Sequence, residues 1–174
     1  MTAASPDERT GVLLRSLGVG ALGTNCYIVA CARTGEAMVI DPGDEAQRIL
    51  AAVRELGARV TRIVLTHYHF DHVLGAPELR SLTGAPIAIH DRGAELLVEP
   101  PAALRVYAPS HAGGIRADAL LHDGDRLQVG DLKVEVLATP GHSPDGISLY
   151  LADQGVVFCG DTVFNGGIGR TDFP

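Results

Sequence analysis

Tryptophan is absent from this chain, and tyrosine and phenylalanine number only four each. A core must therefore be packed from Ala, Val, Leu and Ile rather than from large rings. Cysteine is scarce as well. Three is an odd number, and no Cys-x-x-Cys pair exists, which excludes a disulfide framework and a thiolate zinc ribbon. Cys26 and Cys31 fall five apart on one predicted strand, so they point to opposite faces. All three cysteines are expected to be reduced, mostly packed thiols of a cytoplasmic protein. Positive charge is in deficit: 14 Lys and Arg face 21 Asp and Glu, for a net charge of −7. That argues against nucleic acid as a partner, since a phosphate backbone wants a basic face. It leaves room for an anionic small substrate, because a metal supplies local positive charge. No apolar run approaches the ~20 residues of a membrane span. Residues Met1 to Thr10 have neither the basic start nor the apolar stretch of a signal peptide.

What remains is the balance of a globular protein, 46% hydrophobic and 20% charged over 174 residues, expected to form one domain across 1–174. The pattern predicts strands at Val12–Leu17, Asn25–Ala32 and Ala37–Ile40, the last two joined as a hairpin through Arg33-Thr34-Gly35-Glu36. Asp44 reads as a helix N-cap with Gln47 three residues on, as in a capping box. Ala46, Ile49, Leu50, Val53 and Leu56 follow at helical spacing, and Gly57 supplies the stop. Val60–Leu65 is the next strand, so the segment from Met38 reads strand–helix–strand and favours a parallel, covered sheet. Further on come a short helix at Pro77–Leu82, a strand at Pro86–His90 and a helix at Asp91–Val98 capped by Asp91. Pro100–Leu121 is the least regular region, expected to be a mobile loop or short helical pieces. Two hairpins follow, Arg126–Val129 with Leu132–Leu137 and Ile147–Leu151 with Val156–Cys159. Two sets of strands with helices between and outside them suggest a four-layer αββα sandwich.

One stretch stands out. Thr66-His67-Tyr68-His69-Phe70-Asp71-His72 puts three of the chain's seven histidines and a carboxylate directly after a buried strand. Neutral imidazole is the commonest metal ligand among side chains, and this alternation offers several ligands to one small volume. Two other polar points follow short strands. They are Thr139-Pro140-Gly141-His142-Ser143 and Gly160-Asp161-Thr162, each able to deliver one ligand to a shared edge.

Taken in order, these motifs resemble the metallo-β-lactamase-fold superfamily over nearly the whole chain. His67-x-His69-x-Asp71-His72 matches its signature, Pro140-Gly141-His142 its next ligand, Gly160-Asp161 its bridging aspartate and Asp41-Pro42-Gly43 its early aspartate motif. The resemblance implies roles. His67, His69 and His142 would bind one metal, Asp71 and His72 a second, and Asp161 would bridge them. Asp41 would hold a ligand by hydrogen bond. The N/O donor set suits Zn(II), one or two per chain, and also Fe(II) or Mn(II). A bound cation lowers the pKa of its water from ~15.7 toward ~7. The expected chemistry is attack of that hydroxide on an ester-like carbonyl, with Asp71 as the catalytic group that orients or deprotonates the water. A thiolate leaving group, with a pKa near ~8.5, needs little protonation, so a thioester suits the site.

Asn165-Gly166-Gly167-Ile168-Gly169-Arg170-Thr171-Asp172-Phe173-Pro174 is similar to the Gly-Arg-Thr-Asp-Phe segment of glyoxalase II-like hydrolases (hydroxyacylglutathione hydrolases), and Asn25-Cys26-Tyr27 fits the same group. Related persulfide dioxygenases, which hold one iron by two histidines and an aspartate, carry a similar stretch. The expected function is hydrolysis of a thioester such as an S-2-hydroxyacylglutathione. The alternatives are an iron persulfide dioxygenase and a metal-binding scaffold with impaired catalysis. No histidine follows His142, so the second metal group is expected to lack one protein ligand and to be weaker, and the chain is expected to be shortened at its C-terminal end relative to the family. Arg170 and Asp172 are expected to form an ion pair under the site, Cys159 to be a small buried residue and Tyr68 and Phe70 to pack beneath the loop. His90 is expected to pack or cap, and His111 and His122 to be exposed.

Overall fold

The computed structural model describes residues 11–105 and 113–172. Six strands form one sheet in sequence order: β1 (Val12–Val19), β2 (Thr24–Cys31), β3 (Glu36–Ile40), β4 (Arg59–Val64), β5 (Ile87–His90) and β6 (Ala119–Leu121). The first three pair antiparallel, and β3 to β6 pair parallel. The parallel half exists because α1 (Ala46–Glu55) and α3 (Ala76–Thr83) carry the chain back along one face. A second sheet, ordered β10 (Val156–Phe158), β9 (Ile147–Leu151), β8 (Leu132–Ala138) and β7 (Arg126–Val129), is antiparallel throughout.

Period-2 alternation sorts the core into two layers. On β2 and β3, Cys26, Ile28, Ala30, Ala37 and Val39 face the helices, where Ile49, Val53 and Leu79 meet them. Val29, Cys31, Met38 and Ile40 face the second sheet and pack on Val134, Val136, Ile147 and Leu149. The two cysteines on β2 thus occupy opposite faces, as expected, and all three thiols are free. Among the described residues the helices contribute only to the first of these layers, and the outer face of the second sheet exposes Arg126, Gln128 and Lys133. No helix among the described residues is long and apolar enough to cross a membrane.

Several local expectations need correction. Asp44 does not cap α1. Glu45 takes the N-cap position in a left-handed conformation, the Asp44 carboxylate accepts from the Glu45 N–H at 2.7 Å, and Gln47 donates to Glu78. The cause lies upstream. Asp41-Pro42-Gly43 is pressed against the turn holding Asp71, so closely that a Cβ on Gly43 would overlap the Asp71 carbonyl, and that contact dictates where the helix begins. Asp91 opens a 3-10 turn (Asp91–Gly93) capped by the His90 ring, and α4 starts only at Ala94 and runs to Val98. The segment from Pro100 to Leu121 contains one of the expected short helical pieces, α5 (Ala102–Arg105), and also the strand β6, which was not expected. Two short elements were not anticipated: α2 (Phe70–Val73) within the histidine loop, and the hairpin of β11 (Val163–Phe164) and β12 (Gly167–Ile168).

Candidate metal centre

The histidine loop begins where β4 ends in the middle of the sheet. β4 is hydrogen-bonded on both sides, so its C-terminal end is held firmly, and Thr66 to His69 are buried. His142 arrives from the turn after β8 and Asp161 from the turn after β10, so both sheets deliver ligands to one edge. Ligand atoms of His67, His69 and His142 lie within 4.8 Å of one another. So do those of His67, His72 and Asp161. Asp71 stands beside the second group, with Oδ2 3.5 Å from His72 Nε2, and Asp161 Oδ1 approaches the same nitrogen at 3.3 Å. The two groups share His67, an arrangement the motif alone did not imply.

A hydrogen-bond relay starting at Asp41 sets how these rings face. Asp41 is buried, and its carboxylate accepts from the Thr66 N–H and from the Thr66 hydroxyl, each at 2.7 Å. With its proton committed to Asp41, the Thr66 oxygen accepts from His67 Nδ1 at 3.0 Å. His67 Nε2 then carries the lone pair. It is buried and has no hydrogen-bond partner among the described residues. His142 is set the same way, with Nδ1 donating to the Arg170 carbonyl at 2.9 Å and Nε2 turned to His69 Nδ1, also at 2.9 Å. His72 Nδ1 donates to Asp41 at 3.0 Å. A buried polar atom without a partner costs ~1–3 kcal/mol. A lone pair left bare beside two more ring nitrogens is what a cation would satisfy, so the donor set fits a metal.

The electrostatics agree. Burial pushes His67 well below the ordinary imidazole range, and the neighbouring His72, His69 and His142 push it further, so its lone pair is free at neutral pH. Burial acts on His72 in the same sense, but Asp41, Asp161 and Asp71 outweigh it and raise that ring to about 10. Asp161 is held below its usual range because His72, His142 and His69 together overcome the effect of burial. The second group is therefore built from anions that attract a positive charge, whether a proton or a cation.

Backbone geometry supports the relay. Asp41 adopts φ 51°, in the left-handed region that non-glycine residues rarely enter. Gly160 has φ 49°, and a Cβ there would strike the Thr66 side chain. The glycine before Asp161 thus lets the second sheet close against the relay.

The other expectations divide. Tyr68 is fully buried beneath the loop and Phe70 half-buried, as anticipated. His90 is buried and caps the turn that follows, and His122 is largely exposed. His111 lies outside the described residues. Cys159 is half-buried rather than buried, its thiol donating to the Val163 carbonyl at 3.4 Å in β11, whose own side chains are exposed. Arg170 and Asp172 do pair, Nε to Oδ1 at 2.8 Å, but in solvent; it is the Arg170 carbonyl that reaches the site. Thr66, which links Asp41 to His67, and Thr24, whose hydroxyl donates to Asp71 Oδ2, were not singled out in the sequence. The threonine beside the first ligand was a signal for Thr66; nothing in the sequence pointed to Thr24.

The family model of the Metallo-beta-lactamase superfamily matches residues 19–174. A probable metallo-hydrolase of Bacillus subtilis is 34% identical over 163 residues, covering 91% of this chain and 74% of that protein. The hydroxyacylglutathione hydrolase of Rhodospirillum rubrum is 36% identical over 144 residues (83% and 49%), and the mitochondrial persulfide dioxygenase of Bos taurus is 36% identical over 163 residues (93% and 57%). The chain thus spans about half the length of these last two proteins. Among solved structures, the BLEG-1 B3 metallo-beta-lactamase superposes with a TM-score of 0.84 at 29% identity (93% of this chain, 78% of that one). TTHA1623, solved in a di-iron-bound form, superposes with a TM-score of 0.76 at 32% identity (92% and 78%). With its fold, its ligand geometry and its sequence in agreement, this chain belongs to the metallo-beta-lactamase superfamily.

Proposed function

We propose that the protein is a metal-dependent hydrolase acting on a thioester of the S-2-hydroxyacylglutathione type, with zinc as its metal. The observation that carries this is the convergence of His67, His69 and His142, with His67 Nε2 buried and unpartnered because Asp41 and Thr66 occupy the other side of the ring. These three would hold one cation, and Asp71, His72 and Asp161 a second. When bound, a divalent cation supplies Lewis-acid chemistry, polarising a carbonyl oxygen and making water more acidic. The chain's own part is orientation and proton handling. Asp71 is half-buried with Oδ2 3.5 Å from His72 Nε2, so its carboxylate would be placed to take a proton from an attacking water. Asp41 keeps His72 turned inward. Among the described residues none at the cleft is assigned as a general acid, and a thiolate, with a pKa near ~8.5, leaves without one. Similarity to hydroxyacylglutathione hydrolases supports the substrate class. The test is turnover of S-lactoylglutathione by the zinc-loaded protein, expected to vanish in His69→Ala; absence of turnover in the loaded wild type refutes the substrate.

The second reading is an iron persulfide dioxygenase, favoured by equal identity to the Bos taurus enzyme. Oxygen uptake with glutathione persulfide by the iron-loaded protein supports it, and its absence removes it.

A further inference from the structure

We propose that Thr24 is a positioning residue for Asp71, fixing the carboxylate so that a single oxygen faces a divalent cation of the second group. This rests on the metal-site reading above. Thr24 opens β2 opposite Val19, at the foot of the turn through Gly20 and Gly23, far from the ligand motifs in sequence. Its hydroxyl donates to Asp71 Oδ2 at 2.7 Å.

Three features make this contact more than a surface hydrogen bond. First, the Asp71 backbone is already trapped by Gly43, so the side-chain torsions are its remaining freedom. The carboxylate is only half-buried, and without a partner it would sample several rotamers. Second, threonine is stiff at χ1, and here its backbone is paired with Val19 of β1, so the hydroxyl has few directions open to it. Third, a hydroxyl is neutral. It anchors Oδ2 without cancelling the negative charge, whereas a lysine or arginine would neutralise the ligand it held. Oδ2 is also the oxygen 3.5 Å from His72 Nε2, so Thr24 holds in place the Asp71 oxygen that faces the second group. Asp41 complements this by tying down the His72 nitrogen that faces away from the centre.

The experiment compares wild type, Thr24→Val and Thr24→Ser by Zn(II) binding in competition with a chromophoric chelator. Valine keeps the shape and the strand preference and removes the donor; serine restores it. Wild type is expected to take up two ions. Thr24→Val should retain the tighter one and lose about 10- to 100-fold in affinity for the weaker. Thr24→Ser should stay within about threefold of wild type, since it keeps the hydrogen bond. If the valine variant fails to fold, Thr24→Ala carries the same expectation. Equal binding of both ions by wild type and Thr24→Val overturns the proposal, as does a serine variant as weak as valine. A wild type that binds one ion overturns it while leaving the first metal group intact. A wild type that binds none removes the metal-site reading itself.

Discussion

Asp145 offers a sharp test of how this fold handles buried charge. Asp145 is 1% exposed, and Gly93 is packed so close that a Cβ there would overlap Oδ2; Ser143 and nearby backbone groups lower the carboxyl's pKa by less than burial raises it. Burial raises its pKa from 3.8 to about 6. A rise of about two units at ~1.4 kcal/mol per unit means that ionising Asp145 costs the fold about 3 kcal/mol. The sign follows from the raised value. Below the unfolded pKa both states are protonated and there is no cost. The cost grows as pH climbs from 3.8 to about 6, and above that it is fully present. Asp145→Asn keeps the shape and removes the charge. Its amide must also find partners, which offsets ~1–3 kcal/mol of the gain. The pH trend is therefore the decisive readout. In urea unfolding between pH 4 and pH 8, the stability of Asp145→Asn relative to wild type should rise by about 2 kcal/mol across that range, the remainder of the cost being already present at pH 4. A difference that stays flat with pH refutes the reasoning, because the cost would then not come from ionisation.

Three further outcomes are expected. Gly43→Ala should abolish metal binding and destabilise the fold by several kcal/mol, because its methyl group would collide with the Asp71 carbonyl; chemical denaturation and metal titration check both effects. Asp41→Asn should weaken metal binding about 10- to 100-fold by disturbing the Thr66 and His72 hydrogen bonds, as read by chelator competition. Since the carboxylates around His72 raise it to about 10, zinc uptake at pH 7 should release close to one proton from that ring, measurable from the buffer dependence of the binding enthalpy.

Much of this was legible in the residues, for identifiable reasons. Strands announced themselves wherever burial on both faces left an apolar run, as at Ala37–Ile40, and α1 through its helical stripe. The ligands were legible because imidazole spacing is a local signal. What escaped was set by contacts between distant segments. The start of α1 is governed by Gly43 against Asp71, the sharing of His67 between both ligand groups depends on how the loop folds back, and the Thr24–Asp71 contact joins residues 47 positions apart. The β11–β12 hairpin was hidden because Val163, Phe164 and Ile168 are all exposed, so no alternation marked it.

The central claim is that His67, His69 and His142 form a metal centre held in register by Asp41 and Thr66. Element analysis of the purified protein after incubation with Zn(II) or Fe(II) tests it most directly. At least one tightly held ion per chain is expected, lost in His67→Ala. A wild-type protein that remains metal-free with both cations contradicts the account.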